Sequence, residues 1–176
     1  MIWVGIHGIV GRLVASWMSD VLGRRPSGFL IGMGGALTMA LAGYWHDVYI
    51  GAVSVFFLLI MAQRFFGDAS YAIIGPYIAE VWPNRLRASG MGFSYGIGNL
   101  GKIIGPLGVA LIVGSSNYVS PKITLEALFA ALLFLAFWCG QTGLMFIILG
   151  FETKGRSIEE IDRSLKTPAV GGLASV

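Results

Sequence analysis

Phe56-Phe57-Leu58-Leu59-Ile60-Met61 places six apolar side chains in succession. A strand of an outer-membrane barrel alternates apolar and polar residues over segments of about ten, and this stretch does not alternate. It belongs to a longer apolar run over residues 50–79. At roughly 1.5 Å of rise per residue, a helix of that length reaches through the hydrocarbon layer and into both headgroup regions. In lipid the backbone N–H and C=O groups must be satisfied within the segment, which leaves the helix as the spanning element.

Four more apolar runs flank it, at residues 1–18, 27–45, 87–114 and 124–150. The first is the shortest, at roughly 27 Å as a helix, about the hydrocarbon thickness. It contains His7 and Arg12 and ends without a small-residue cleavage pattern, so it reads as a membrane segment and not a signal peptide. The expected fold is an all-α membrane protein of about five transmembrane helices over residues 1–166. A loose tail at residues 167–176 follows.

Composition agrees. Of 176 residues 56% are hydrophobic and 12% charged, about half the charge of a soluble domain. Such a chain has too few charges to cover its apolar surface in water, and the expected surroundings are a lipid bilayer. The 26 glycines suit helices that approach closely in lipid. Gly28, Gly32, Ala36 and Ala40 recur every fourth residue, as do Gly11, Ala15 and Ser19, and Gly101 and Gly105.

The basic residues give the threading. Arg24 and Arg25, Arg85 and Arg87, and Lys154, Arg156, Arg163 and Lys166 fall in one set of connections, against Lys122 alone in the other. Eight against one places the first set, and the C-terminus, in the cytoplasm of a multi-pass protein of the inner or plasma membrane. With five spans, the N-terminus is then expected outside. Because the basic residues sit in short clusters between apolar runs, no nucleic-acid partner is expected.

Gly96-Ile97-Gly98-Asn99-Leu100-Gly101-Lys102 matches a dinucleotide fingerprint and most of a phosphate-binding loop. Both need a preceding strand, and Ile103 stands where a Ser or Thr would hold Mg²⁺. Helix packing accounts for these glycines better. His7 and His46 are isolated and Cys139 is the single cysteine. No metal, cofactor, hydrolytic constellation or enzyme activity is expected.

Charges within the spans are the candidate solute and proton sites, since an ionisable group in hydrocarbon is costly unless it faces a cavity or a partner. Arg64 and Asp68 are four residues apart, on one helix face, and able to pair. Counted back from Glu80, Asp68 lies roughly 18 Å and Arg64 roughly 24 Å along the helix, near its middle. Arg12 and Lys102 are further candidates, either snorkelling or facing the same path.

Three connecting stretches carry a resemblance. Ser16-Trp17-Met18-Ser19-Asp20-Val21-Leu22-Gly23-Arg24-Arg25 resembles the G-x-x-x-D-(R/K)-x-G-R-(R/K) loop of major facilitator transporters in its weaker second copy. Tyr77 to Gly90 is similar to their Y-x-x-E-x-x-P-x-x-x-R-A-x-G pattern. Phe151-Glu152-Thr153-Lys154-Gly155-Arg156-Ser157-Ile158-Glu159-Glu160-Ile161 resembles the P-E-T-K-G-x-x-L-E-E-I tail of sugar-porter-like members, with Phe151 in place of Pro.

The resemblance implies helices 8 to 12 of a twelve-helix bundle, with helices 1 to 7, the N-terminal half and the first helix of the second, absent from this chain. It implies proton- or ion-coupled transport of a small organic solute: a sugar, an organic acid or an aromatic acid. Asp20, Arg24, Arg25, Glu80, Arg85, Arg87, Glu152 and Glu159 are then candidates for ion pairs that hold the cytoplasmic side closed. The alternative expectation is a transport-inactive fragment or a membrane-embedded interaction module.

Overall fold

The computed structural model describes residues 2–113 and 125–166. The connection around Ser115–Lys122 and the tail at 167–176 lie outside the described residues. Five long helices follow one another: α1 (Ile2–Leu22), α2 (Arg24–Tyr44), α3 (Val55–Val81), α4 (Arg87–Val113) and α5 (Leu125–Ile148). A short α6 (Ile158–Lys166) ends the described chain.

The breaks have local causes. Between α1 and α2 only Gly23 leaves the helix, at φ +101°, a conformation that side chains rarely adopt. The expected loop at 20–26 is therefore a one-residue corner that carries Arg24 straight into the first turn of α2. At the end of α3, Pro83 disfavours helical geometry for the preceding residue, and Trp82 is extended at φ −89°, ψ 132°.

The third apolar run differs from expectation at its start. Residues 50–54 are not helical; β1 (Tyr49–Ile50) and β2 (Val53–Ser54) form a small antiparallel hairpin, turned at Gly51 with φ +61°. Apolar content alone did not distinguish a hairpin tip from a helix start.

Four described helices are long and apolar enough to cross a membrane: α2, α3, α4 and α5 from Ala127. Their packing is set by small residues. Ser27, Ile31, Gly35, Met39 and Gly43, one residue per turn, are buried along α2, the helix most extensively packed against both α5 and α3. A Cβ on Gly32 would lie 2.5 Å from the backbone of Gly143, and one on Gly28 2.4 Å from the Phe146 ring. Any side chain at position 32 must separate the two backbones.

Ala15, Ile31, Ala69 and Ile73 form a buried cluster, with Phe66 and Phe146 against it. A second cluster gathers Met39, Leu132 and Ala136. Large apolar side chains such as Leu111 and Leu149 face outward, as a lipid-facing surface requires.

Five glycines of α4 behave differently, whereas Gly90 and Gly108 pack on Trp82 and Phe134. Gly92, Gly96, Gly98, Gly101 and Gly105 have nothing within 4 Å of where a Cβ would stand. Among the described residues they make no close helix contact, unlike the close approach expected for Gly101 and Gly105. The stretch from Gly96 to Lys102 lies inside one continuous helix, a geometry that neither nucleotide loop has.

Candidate functional site

Two charged sites are built from the helices, one mid-span and one at the arginine-rich end. In the first, the four-residue spacing on α3 brings the Arg64 Nε 3.3 Å from the Asp68 Oδ2. Packing of α1 on α3 adds the Arg12 Nη2, which donates to Asp68 Oδ1 at 3.5 Å. One carboxylate thus bridges two guanidiniums, one on each oxygen.

Burial is uneven across this triad. The Asp68 side chain is 11% exposed, whereas those of Arg12 and Arg64 are each 59% exposed. The acid is lodged against α1 because Gly8 has no side chain: a Cβ there would lie 3.0 Å from Asp68 Oδ2. Gly11, one turn on, sits over the Phe65 carbonyl, where a Cβ would approach to 2.8 Å. Gly8 and Arg12 are four residues apart on one face, a spacing that marks Gly8 only once the partner helix is known.

Lys102 on α4 is exposed and, among the described residues, joins neither the triad nor any other ion pair. Beside the triad's helix, a groove of about 560 Å³ opens between α3, α4 and α5, lined by Gln63, Tyr71, Trp138, Cys139 and Thr142. A second, of about 490 Å³, runs along α3 and α5 past Tyr77 and Gln141.

The second site ties three elements together. Arg24, in the first turn of α2, donates through Nη2 and Nε to the two oxygens of Glu80 at 2.9 and 3.2 Å, a bidentate pair of the strong kind. Its Nη1 reaches Asp20 Oδ1 at 3.2 Å and the Ser19 carbonyl at 3.1 Å. Thr153 donates its hydroxyl to Glu80, and Phe151 donates its N–H to the Tyr77 hydroxyl at 2.7 Å.

Glu152 caps α2 from outside. Its carboxylate accepts the backbone N–H groups of Arg24 at 2.9 Å and Arg25 at 3.2 Å, and that of Lys154 at 3.0 Å. Those amides are orphans of the helix start, and a negative charge there also suits the helix dipole. Burial pushes this carboxyl up, but the amides of Arg24, Lys154, Arg25 and Thr153 together hold it below its ordinary range.

The remaining residues of the expected set are placed otherwise. Arg25 donates to the carbonyls of Phe146 and Ile147, acceptors at the end of α5, and among the described residues its side chain pairs with no acid. Arg85 and Glu159 are exposed, and among the described residues neither they nor Arg87 has an ion-pair partner. The buried Arg87 Nε has no hydrogen-bond partner there either. Glu160 instead forms a reciprocal box with Ser157, at 2.9 and 3.2 Å, that starts α6.

Thr153, Tyr77 and Gly8 were missed by the sequence reading of charges. Thr153 stands inside the Glu-Thr-Lys-Gly motif, and Tyr77 opens the pattern that contains Glu80. Both were within reach had polar uncharged members been weighed with the acids.

The whole arrangement has relatives. The model of the Major Facilitator Superfamily matches residues 2–166. Inorganic phosphate transporter 1-6 of Oryza sativa subsp. japonica is 35% identical over 170 residues, covering 87% of this chain and 30% of the relative. The inner membrane metabolite transport protein YdjE of Escherichia coli is 31% identical over 86% of this chain and 30% of its own length. The cis,cis-muconate transport protein of Acinetobacter baylyi is 24% identical over 79% of the chain and 31% of its own.

The chain thus spans under a third of the length of these curated relatives. No solved structure gives a significant match. With the family model matched across every described residue, a helical membrane bundle beneath it and transporters among its relatives, the chain belongs to the Major Facilitator Superfamily, a transporter family and not an enzyme one.

Proposed function

We propose that the chain supplies helices 8 to 12 of a twelve-helix secondary transporter that carries a small organic solute across the inner or plasma membrane with a proton. The seven further helices would come from the part of the relatives' length that this chain does not span. They would cover the open glycine row of α4 and close the path that five helices leave unwalled. Asp68 is the proton carrier and Arg64 the anchor of an anionic group on the solute.

The observation that carries this reading is the charged triad at mid-span. Ionisable residues at that depth are expensive and mark solute or proton paths, and secondary transporters bind their solute near the bilayer midplane. Transport of phosphate, muconate and metabolites by the relatives supports a small polar solute, with organic and aromatic acids ahead of sugars.

The arginine-rich end faces the cytoplasm in this reading, as the charge bias of the connections requires. Asp20, Arg24, Glu80 and Glu152 there hold helix ends together and release as the bundle rocks, closing the inner side in one state and opening it in the other.

The test is uptake by the twelve-helix protein in sealed proteoliposomes under an imposed pH gradient, with labelled benzoate, cis,cis-muconate, phosphate and glucose. One solute should accumulate, and Asp68→Asn should abolish the accumulation. Unchanged accumulation by Asp68→Asn removes the proton role. A second reading, an interaction module that transports nothing, rests on the glycine row of α4, which no described residue covers. It requires that no member of the panel enter even when all twelve helices are present.

A further inference from the structure

We infer that Arg12 and Arg64 form a two-pronged oxyanion site whose resident occupant is the Asp68 carboxylate, so that solute binding and protonation of Asp68 are one exchange. The inference rests on the transporter reading and deepens it. It names the solute's chemistry, a carboxylate or phosphate, and it gives Arg12 a role in specificity.

The first support is donor capacity. Each guanidinium has five N–H donors. Among the described residues Arg12 spends its contact on Asp68 Oδ1 and Arg64 on Oδ2, and neither has another partner. The pair is therefore largely unsatisfied and carries one positive charge more than its acid neutralises. Both arginines are open, while the acid is enclosed. An approaching anion meets the donors first.

The second support is shape. The two guanidiniums already bridge the two oxygens of a single carboxylate. A carboxylate or a phosphate presents two oxygens on one centre in the same way, and arginine prefers such planar paired acceptors. The resident acid is thus a template for the ligand that replaces it.

Replacement has a consequence for protons. When an oxyanion takes both guanidiniums, Asp68 stays enclosed against Gly8 without a counter-ion. A proton from water neutralises it at the lowest cost. When the anion leaves, the arginines return to Asp68 and the proton departs.

Other groups near this exchange are few. On α1 the other titratable side chains are His7, next to Gly8, and Asp20, which pairs with Arg24 at the arginine-rich end, and on α3 the nearest in sequence is Tyr71. At this level α2 presents Gly34 and Gly35 to α3, and Cys139 of α5 packs on Gly35.

The test is calorimetry on the twelve-helix protein in lipid nanodiscs, in two buffers of different ionisation enthalpy. The probes are benzoate, cis,cis-muconate, inorganic phosphate and, as the neutral control, glucose. One class of oxyanion should bind with uptake of about one proton, and the carboxylate and phosphate arms tell the classes apart. Asp68→Asn should bind the same anion about tenfold more tightly, its competitor being gone, and take up no proton. Arg12→Gln and Arg64→Gln should each weaken it about tenfold or more.

Unchanged proton uptake in Asp68→Asn, or unchanged anion affinity in Arg12→Gln, overturns the inference. Should Asp68→Asn fail to fold, the two arginine variants decide alone. Binding and proton-driven accumulation of glucose would sink the oxyanion site and leave the transporter reading intact. Proton-linked anion binding without accumulation of any solute would do the reverse.

Discussion

The two charged sites of this molecule invert one another. At the arginine-rich end, one guanidinium is shared by Glu80 and Asp20, with a third acid, Glu152, on the adjacent backbone. At mid-span, one acid is shared by two guanidiniums. The end site is tight, with a bidentate pair and a threonine hydroxyl, and the Arg24 and Glu80 side chains are 18% and 20% exposed. The mid-span site has longer contacts and open donors. A site whose valences are filled holds elements together, whereas one with spare donors is ready to take a ligand.

The largest expected effect breaks the filled site. Glu80→Ala leaves a mostly buried Arg24 with only the exposed Asp20 and the Ser19 carbonyl and frees the Thr153 hydroxyl, at a cost of about 3 kcal/mol, read as a lower unfolding midpoint in detergent. Asp68→Ala, by contrast, leaves two exposed guanidiniums and should change the midpoint by under about 1 kcal/mol. Equal losses at both positions would erase the distinction.

Next in size is Gly11→Ala. Its Cβ would stand 2.8 Å from the Phe65 carbonyl, a backbone atom that cannot swing aside. It should cost about 2 kcal/mol and part α1 from α3, with proton-coupled uptake falling along with stability. An unshifted midpoint would mean that α1 is not held where Arg12 can reach Asp68.

Smaller, and dependent on pH, is Glu152→Gln. The folded state holds this carboxyl below its ordinary range, so its contribution is fully present above the unfolded pKa and is lost as pH falls through the folded value. Wild type should lose this stability below about pH 4. The variant should be about 1 kcal/mol weaker at neutral pH and flat across that range. A parallel acid profile in both would remove Glu152 as the cap of α2. Least affected should be Lys102→Gln, with under about 0.5 kcal/mol in stability, since among the described residues that amine has no partner.

The bundle was legible because its signals are local. Apolar length gives the helices, and a four-residue spacing gives the pairing of Arg64 with Asp68. Arg12 joins them only through the crossing of α1 on α3, at a separation of 56 residues, and no spacing rule reaches that far. The acids and bases of the end site were legible as a set, but their wiring was not. Arg24 and Arg25 are adjacent in sequence and point to different elements, because a helix turns about 100° per residue. Residues 50–54 of the hairpin were read as helix because they are as apolar as the helix that follows. Gly101 and Gly105 of α4 match the glycines of α2 in pattern and differ in use, since pattern does not say whether a partner helix is present.

The most direct measurement separates movement of solute from its coupling. Reconstituted twelve-helix Asp68→Asn should still exchange labelled for unlabelled solute across the membrane when no gradient is imposed, because the arginines remain. It should fail to accumulate that solute under a pH gradient, because the proton has lost its seat. Accumulation at the wild-type level, or exchange and accumulation abolished together in a variant that folds, would contradict a proton and an anion trading places at Asp68.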